Sequence, residues 1–280
     1  MVQQNDNLET GEFFSFESAL KMPAKVKSLM VETSIEQLPD DLGNLTNLEK
    51  LVIYDHKLKK VTPKIGALSN LRELSLITIV QRGCLKEIPA EISQLKNLKK
   101  LALNHQEIYE IPESVYDLEN LEDLQLMFTP LKLVSPKIAQ LKNLKKLGLK
   151  RDSLYVPYMN FAIESLPENF VYLVILVEQE LNANKLTELP ESFGNLSNLI
   201  KLNLSFNKLK KLPDDFGKLQ NLEILNVSYN ALTSVPKTFG DLKKLQELDI
   251  KSNKLAPAIK DRIKEMFAGI KKLEVDVYKK

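Results

Sequence analysis

The fold of this chain is decided by one stretch, Leu199-Ile-Lys-Leu-Asn-Leu-Ser-Phe-Asn-Lys-Leu-Lys-Lys-Leu-Pro-Asp-Asp-Phe-Gly-Lys-Leu-Gln-Asn221. Its pattern, LxxLxLxxNxLxxLPxxFGxL, returns along most of the chain, usually with a spacing of 23 residues. Self-similarity with a fixed period of this length is typical of repeat architectures. The copies begin at Val26, Leu48, Leu71, Leu98, Leu121, Leu144, Leu176, Leu199, Leu222 and Leu245.

Each copy predicts a short strand followed by a turn. The LxL segment alternates inward and outward residues, as a β-strand does. One copy cannot bury its leucine face alone, so neighbouring copies stack and their strands form a parallel sheet. Three residues after each LxL segment comes a ladder position, where an amide can satisfy backbone groups of adjacent turns. The ladder asparagines are Asn184, Asn207, Asn230 and Asn253.

The repeat resembles the leucine-rich repeat, in the 23-residue class of bacterial, Ras-suppressor-like and plant intracellular proteins. The resemblance covers about residues 26–255. It implies an α/β leucine-rich-repeat solenoid, a curved horseshoe of about ten repeats with a parallel sheet on its concave face. We expect a single domain over residues 1–280, with caps at 1–25 and 256–280.

The ends of the repeat array require caps, because an open end would expose core leucines and a sheet edge. At the front, Ser15 is a candidate helix N-cap, and the residues around it are apolar: Phe13, Phe14, Phe16, Ala19 and Leu20. At the back, residues 257–269 predict a helix with apolar residues on one side. A last strand is predicted from three alternating residues, Leu273, Val275 and Val277.

Composition excludes several classes of protein. The chain has 39 Lys+Arg against 37 Asp+Glu, and a net charge of +2 does not favour nucleic acid or an anionic membrane as the main partner. The single cysteine rules out an intramolecular disulfide framework. No apolar run reaches the roughly 18 residues of a membrane span. The expected location is the cytoplasm, or outside a bacterium after removal of a signal peptide.

Two copies are longer than 23 residues. Four extra residues near 79–84 include Cys84, and nine extra residues occupy 155–163. Insertions are tolerated as surface loops. The second one is apolar enough for packing or binding, since it contains Tyr155, Tyr158, Met159 and Phe161. Whether this insertion or the concave face is the main binding surface stays open.

The sequence predicts no enzyme, no metal and no cofactor. His56 falls at a ladder position and His105 one residue before another, two copies later, so the strand spacing separates them by about 10 Å. That distance is too long for a shared metal ion. Cys84 lacks a CxxC partner, and we find no glycine-rich phosphate loop in the sequence.

Copies two to six replace the ladder asparagine, with His56, Ile79, Gln106, Thr129 and Asp152. Drift of the repeat is one explanation, and a binding surface on the concave face is the other. The predicted binding residues combine aromatic and methionine anchors with a basic edge, as protein interfaces do. They are Tyr54, Ile77, His105, Met127, Phe128, Lys150 and Arg151. Phe206 and Tyr229 recur at one repeat position and are interpreted as scaffold.

Charges alternate at the third residue of successive copies, which predicts lateral ion pairs that fix the strand register. These residues are Lys50, Glu73, Lys100, Asp123, Lys146, Glu178 and Lys201.

The predicted function is a non-catalytic protein–protein interaction module that binds a protein or peptide ligand of unknown identity. This function follows from the fold only by analogy. One alternative is glycan or cell-surface binding, for which Tyr54, Asp55 and Gln106 offer an aromatic ring and polar groups. Another is regulation of a signalling enzyme such as a small GTPase, which the Ras-suppressor-like resemblance implies. The expected oligomeric state is a monomer.

Overall fold

A computed structural model of the chain describes residues 5–78, 83–151 and 162–276. The chain divides into two compact units, Met1–Pro130 and Leu131–Lys280, and each is described by itself. In both units, short parallel strands alternate with 3₁₀ segments.

In the first unit, each strand pairs in parallel with the next strand along the chain. The strands are β1 Glu12–Phe13, β2 Ser28–Thr33, β3 Lys50–Asp55, β4 Glu73–Ile77, β5 Lys100–Ala102 and β6 Asp123–Gln125. Helix α1 spans Phe16–Lys21. The 3₁₀ segments are Pro23–Lys25, Asp40–Asn44, Pro63–Ala67, Ala90–Gln94 and Glu113–Val115.

The second unit follows the same plan, with parallel pairing in chain order. Its strands are β7 Lys146–Gly148, β8 Glu178–Glu180, β9 Lys201–Asn203, β10 Ile224–Asn226, β11 Glu247–Asp249 and β12 Lys272–Glu274. Helix α2 spans Pro257–Met266. The 3₁₀ segments are Pro136–Gln140, Glu168–Tyr172, Phe193–Asn195, Phe216–Lys218 and Lys237–Asp241.

The strand register confirms the predicted leucine core. Leu51 in β3 is the Cα partner of Leu29 in β2 and of Leu74 in β4, and all three side chains are fully buried. Side chains alternate across a strand, so Lys50 lies on the opposite, outward face of the sheet. Stacking therefore brings the same repeat position together from copy to copy.

A column of phenylalanine rings runs through the 3₁₀ segments of the second unit. The centroid distances between successive rings are 6.4, 6.3 and 6.3 Å, in the order Phe170, Phe193, Phe216 and Phe239. Phe267 after α2 closes the column edge-on, 5.6 Å from Phe239. The rings stack because a phenylalanine recurs at the same position of each of these copies, followed by glycine in all but the first. Gly217 after Phe216 has no alternative, since a Cβ there would collide with the carbonyl oxygen of Thr238.

The ladder asparagines of the second unit act as predicted. Asn207 is buried, and its Oδ1 accepts the backbone N–H of Leu186 at 3.0 Å. Its Nδ2 donates to the carbonyl oxygens of Leu181 and Leu204, both at 3.0 Å. Equivalent bonds are made by Asn184, Asn230 and Asn253. Each amide thus joins adjacent turns whose polar groups would otherwise be buried without partners.

In the first unit other side chains keep part of the ladder, so copies that lack the ladder asparagine still bond backbone groups of the turns. The Oε1 of Gln106 accepts the N–H of Leu85 at 3.4 Å, and its Nε2 donates to the carbonyl oxygen of Leu76 at 3.3 Å. The hydroxyl of Thr129 donates to the carbonyl oxygen of Leu126 at 2.7 Å. Ile79 and Asp152 lie outside the described residues.

Asp55, rather than the predicted His56, takes the ladder role in the copy that begins at Leu48. Its buried carboxylate accepts the N–H groups of Ile35 at 2.9 Å and Leu58 at 3.0 Å, while His56 is exposed. Strand β3 runs for six residues, against three in β5, and the turn after it is built differently. The polar residue that meets the neighbouring turn therefore comes one position earlier.

A second row of asparagines, which the sequence analysis did not predict as a ladder, lies where each 3₁₀ segment leads back to a strand. In the first unit, the Nδ2 of Asn70 donates to the carbonyl oxygen of Thr46 at 2.8 Å. Matching bonds one copy apart are made by Asn47, Asn97, Asn120, Asn198 and Asn221. These exposed or half-buried amides connect neighbouring copies by hydrogen bonds at the ends of the 3₁₀ segments.

Helices and short strands lie at both ends of the repeats, where caps are expected. Ser15 is the N-cap of α1 and accepts the backbone N–H of Ser18 at 3.1 Å, with Phe13 and Ala19 fully buried beside it. At the other end, α2 buries Ile263, and β12 contains Leu273 but stops before Val275. Val277 and residues 155–161 of the second insertion lie outside the described residues.

Candidate functional site

Two rows of side chains carry the predicted binding residues. The strand-end row is the residue directly after the second inward residue of each LxL segment, and the turn row is the next residue. Tyr54 and Ile77 are neighbours in the strand-end row of the first unit, because they are Cα partners in β3 and β4. Both side chains are half-buried, and Met127 occupies the same row two copies after Ile77.

His105 and Phe128 occupy the turn row and stack on each other. Their ring centroids are 4.4 Å apart and their planes differ by 27°. Such an aromatic pair contributes about 0.5–1.5 kcal/mol beyond the area that it buries. The sequence singled out both residues but did not predict that they form one stacked pair.

Backbone hydrogen bonds and φ angles position the two stacked rings. The N–H of His105 donates to the carbonyl oxygen of Met127 at 2.9 Å, and the N–H of Met127 donates to the Oδ1 of Asn104 at 2.9 Å. The φ angles of His105 and Phe128 are 62° and 63°, in the left-handed region that bulky residues rarely adopt. Ala183 shares this conformation, so it belongs to the repeat turn and does not by itself mark a binding site.

A second stack occupies the turn row of the second unit. Phe206 and Tyr229 lie 4.2 Å apart with planes 7° from parallel, and they are 43% and 44% exposed. Next to Phe206, the hydroxyl of Ser205 is buried and lies 2.8 Å from the Oδ1 of Asn203. The two units therefore each present an aromatic pair, of which the sequence analysis assigned only one to the binding surface.

The predicted basic edge belongs to the second unit. Lys150 lies in the strand-end row, and its Nζ is 2.9 Å from the Oε2 of Glu180. Arg151 lies in the turn row, and its N–H donates to the carbonyl oxygen of Asn182 at 3.1 Å. The predicted binding residues thus divide between two rows and two units, and the charge of Lys150 is already paired.

The predicted lateral ion pairs are present on the outward face. The carboxylate of Glu73 lies 3.3 Å from the Nζ of Lys50 and 3.1 Å from that of Lys100. Burial opposes ionisation of Glu73, but the hydrogen bond and charge of Lys100, with those of Lys50, outweigh it and lower the pKa of Glu73. Glu178 makes equivalent pairs in the second unit, with Lys146 and Lys201.

Groups suited to catalysis are sparse. Among residues 5–78, 83–151 and 162–276, no three His, Cys, Asp or Glu side chains are grouped to hold a metal ion. The Sγ of Cys84 lies 3.7 Å from the carbonyl oxygen of His56, beside a groove of about 690 Å³ that Lys59 and Ile88 help to line. In the same described ranges, no helix has both the length and the apolar character needed to cross a membrane.

Comparison with known proteins agrees with this geometry. A family model described as "Leucine rich repeat" matches residues 197–255, which lie within the second unit. No curated protein matches the chain significantly in sequence.

Several solved structures share the fold. An internalin, inlF from Listeria monocytogenes, has a TM-score of 0.72 and is 17% identical over 95% of this chain and 73% of its own. The functional domain of InlJ, also from Listeria monocytogenes, has a TM-score of 0.67 and 20% identity over 85% of this chain and 46% of its own. The plant peptide hormone receptor RGFR1, solved in complex with RGF2, has a TM-score of 0.51 and 21% identity over 94% of this chain and 49% of its own.

The chain spans about half the length of InlJ and RGFR1. At these identities the likeness concerns the fold, and the family match concerns a sequence that recurs along most of the chain. The 23-residue period, the parallel strands with inward leucines and the asparagine ladder agree with both. This chain therefore has the leucine-rich-repeat fold, and its residues 197–255 match the leucine-rich-repeat family model.

Proposed function

We propose that this chain is a non-catalytic interaction module that binds a protein or peptide ligand on the outward face of its sheet. The His105–Phe128 stack, with Met127 beside it, carries the proposal. Its side chains are half-buried and belong to types that protein interfaces favour. Tyr54 and Ile77 add a second pair of apolar contacts in the same unit.

The stack is suited to be an anchor because it is already ordered. Its backbone is held by hydrogen bonds to Met127, and its rings contact each other at 4.4 Å. A contact of this kind loses little conformational entropy when a ligand binds. The apolar neighbours Met127 and Ile77 favour a protein side chain over the hydroxyl groups of a glycan.

In the second unit, Lys150 and Arg151 are proposed as further, charged contacts for the ligand. Rim charges act mainly on the association rate and its salt dependence. Because Lys150 is paired with Glu180, we expect its contribution to be smaller than that of Phe128. We further propose that residues 1–280 act as one domain in binding.

Among proteins of this fold, RGFR1 is a peptide hormone receptor that was solved in complex with RGF2. This supports a peptide as one class of ligand for the present chain, through the fold only. The identity of the ligand has to come from experiment.

A photo-crosslinking amino acid at position 128 in the full chain, in its source cell, tests the proposal. The matched control is position 206, which has the same place in the repeat and the same left-handed backbone. We expect a discrete protein to be captured from position 128 and not from position 206. With that partner, Phe128→Ala should weaken binding by about 2 kcal/mol, roughly 30-fold, and Phe206→Ala should leave it unchanged.

Other outcomes point elsewhere. Normal binding by Phe128→Ala and Met127→Ala, together with loss on changes in residues 155–163, would place the site on the insertion. A glycan-array signal without protein capture would support the glycan alternative, and nucleotide-dependent retention of a small GTPase would support the regulator alternative. Circular dichroism of each variant separates lost binding from lost folding.

A further inference from the structure

One copy in the second unit reverses the polarity of its repeat. Where Ile175 stands, the other copies carry asparagine or lysine, and where Val174 stands, every other copy carries a polar residue except the first, which has Ala24. Val177 replaces a mostly charged position, and Ile200 does the same in the next copy. In the opposite sense, the inward position of β8 is Gln179 instead of leucine. In this copy, apolar residues therefore occupy surface positions that are polar in most other copies, and a polar residue occupies a core position.

We call these apolar residues the 172–200 patch: Ile175, Val177 and Ile200 line one groove, and Tyr172 and Val174 come just before Ile175 in the chain. Tyr172 is 64% and Val174 46% exposed, and the other three are half-buried. A shallow groove of about 460 Å³ is lined by Ile175, Val177 and Ile200, with Asn198 and Asn221 beside them. Contiguous apolar patches on a protein surface mark interaction sites.

Backbone hydrogen bonds order the residues at the centre of this patch into a row. The N–H of Val177 donates to the carbonyl oxygen of Lys145 at 2.7 Å, and the N–H of Ile200 donates to that of Val177 at 2.9 Å. The N–H of Glu223 donates to the carbonyl oxygen of Ile200, also at 2.9 Å. Each residue of the row belongs to the next copy along the chain. The row therefore consists of a cation, two apolar residues and an anion, in the order Lys145, Val177, Ile200 and Glu223.

We propose that the 172–200 patch is a self-association surface that pairs with the same patch on a second copy of this chain. A twofold axis between Val177 and Ile200 reverses the row on the partner copy. Val177 of one copy then faces Ile200 of the other, and Lys145 faces Glu223 at both ends. Such an isologous contact uses every residue of the row twice.

The charge order selects a second copy over an unrelated partner. An apolar patch for a different protein needs only complementarity to that protein, whereas this row is complementary to its own reverse. Val177 and Ile200 lie directly before β8 and β9, whereas Met127 and Phe128 follow their strand, so the two surfaces use opposite ends of the strands. Ligand binding by Phe128 and self-association are therefore independent proposals.

The patch comprises few side chains, so the expected dimer is weak and concentration-dependent. Sedimentation velocity of the full chain from about 1 μM to about 1 mM covers the range in which small interfaces dissociate. We expect the mass to rise from 31.9 kDa toward twice that value. Ile200→Lys should weaken dimerisation at least tenfold, while Leu133→Lys, at an exposed leucine outside the patch, should have no effect.

Charge reversal tests the twofold arrangement itself. Lys145→Glu and Glu223→Lys should each weaken the dimer severalfold, because each creates two like-charge contacts. The double variant restores both opposite-charge contacts and should dimerise within about twofold of the original chain, since the exchange is symmetric.

Three results would overturn the proposal: a mass of 31.9 kDa at every concentration, a dimer that Ile200→Lys leaves intact, or a double variant that stays as weak as the single ones. Thermal unfolding of each variant shows whether it is folded. The two charge variants affect exposed or half-buried side chains, so they remain informative even if Ile200→Lys is destabilised.

Discussion

The two units fill one repeat position with different side chains. In the second unit, from Phe170 onward, the 3₁₀ segments bury a phenylalanine in every copy, and the rings contact each other from copy to copy. The first unit buries aliphatic residues there, namely Leu42, Ile65, Ile92 and Val115. All of these side chains are fully buried. The position therefore demands apolar volume, and the ring column is one way of supplying it.

The units also differ in the side chain at the ladder position, although both use it to bond the backbone. The second unit uses asparagine in consecutive copies, whereas the first uses Asp55, Gln106 and Thr129. Each of these side chains still reaches backbone groups of a turn. What both units maintain is the hydrogen bond to the backbone, because a buried unpaired group is costly.

The largest expected difference between the units concerns the ring column. Phe216→Ala removes a ring that lies between two others, and we expect a loss of about 3–5 kcal/mol in the free energy of unfolding. Ile92→Ala, at the matching position of the first unit, should cost about 2–3 kcal/mol, because fewer atoms are removed. Urea unfolding followed by circular dichroism measures both. Equal losses would mean that the larger, stacked rings stabilise the fold no more than the aliphatic side chains at the same position.

The ladder comparison predicts a smaller difference. Asn207→Ala should cost about 2–3 kcal/mol, because its bonds are 3.0 Å long and its partners become buried and unpaired. Gln106→Ala should cost only about 1 kcal/mol, since its bonds to backbone are 3.3–3.4 Å long. In a hydrogen-exchange experiment, the amide proton of Leu85 should exchange faster than that of Leu186. The reverse order would contradict the comparison.

Gln179→Leu should stabilise the second unit by about 1–2 kcal/mol. The side chain is 1% exposed, and in the described part of the chain neither its amide nitrogen nor its oxygen has a hydrogen-bond partner. Leu147 and Leu202 are its Cα partners, so leucine suits the site. Gln94→Leu, at an exposed position, is the control and should give no gain. Destabilisation by Gln179→Leu would show that the amide has a partner in solution.

The smallest expected effect is the pH dependence of the lateral ion pairs. The pKa of Glu73 is lowered from its ordinary value of 4.5, so its pairing stabilises the fold fully above that pH and is lost as the pH falls further. The contribution should be at most about 1 kcal/mol, because the lysines are partly exposed. Glu73→Gln should flatten this part of the acid unfolding curve, whereas Glu110→Gln should not. Identical acid unfolding curves for the two variants would mean that Glu73 does not contribute to the pH dependence of stability.

The sequence predicted much of the fold and only part of the candidate site. The inward leucines, the ladder asparagines of the second unit and the Ser15 cap followed from spacing alone. The assignment of His56 to the ladder was wrong, because strand β3 extends to Asp55 and the carboxylate of Asp55 accepts the N–H of the neighbouring turn. His105 and Phe128 were identified as single residues, and their stack depends on contacts between copies.

By itself, the sequence determined the repeat period, the inward face of each strand and the parallel order of the strands. These properties depend on spacing within one copy, where the alternation of a strand leaves a single choice of inward residue. Only the tertiary structure decided which side chain reaches the next turn, which rings stack and that Gln179 is buried without a partner. Those outcomes depend on residues 20 or more positions apart, and a difference in strand length, as between β3 and β5, accompanies a change in the side chain that reaches the next turn.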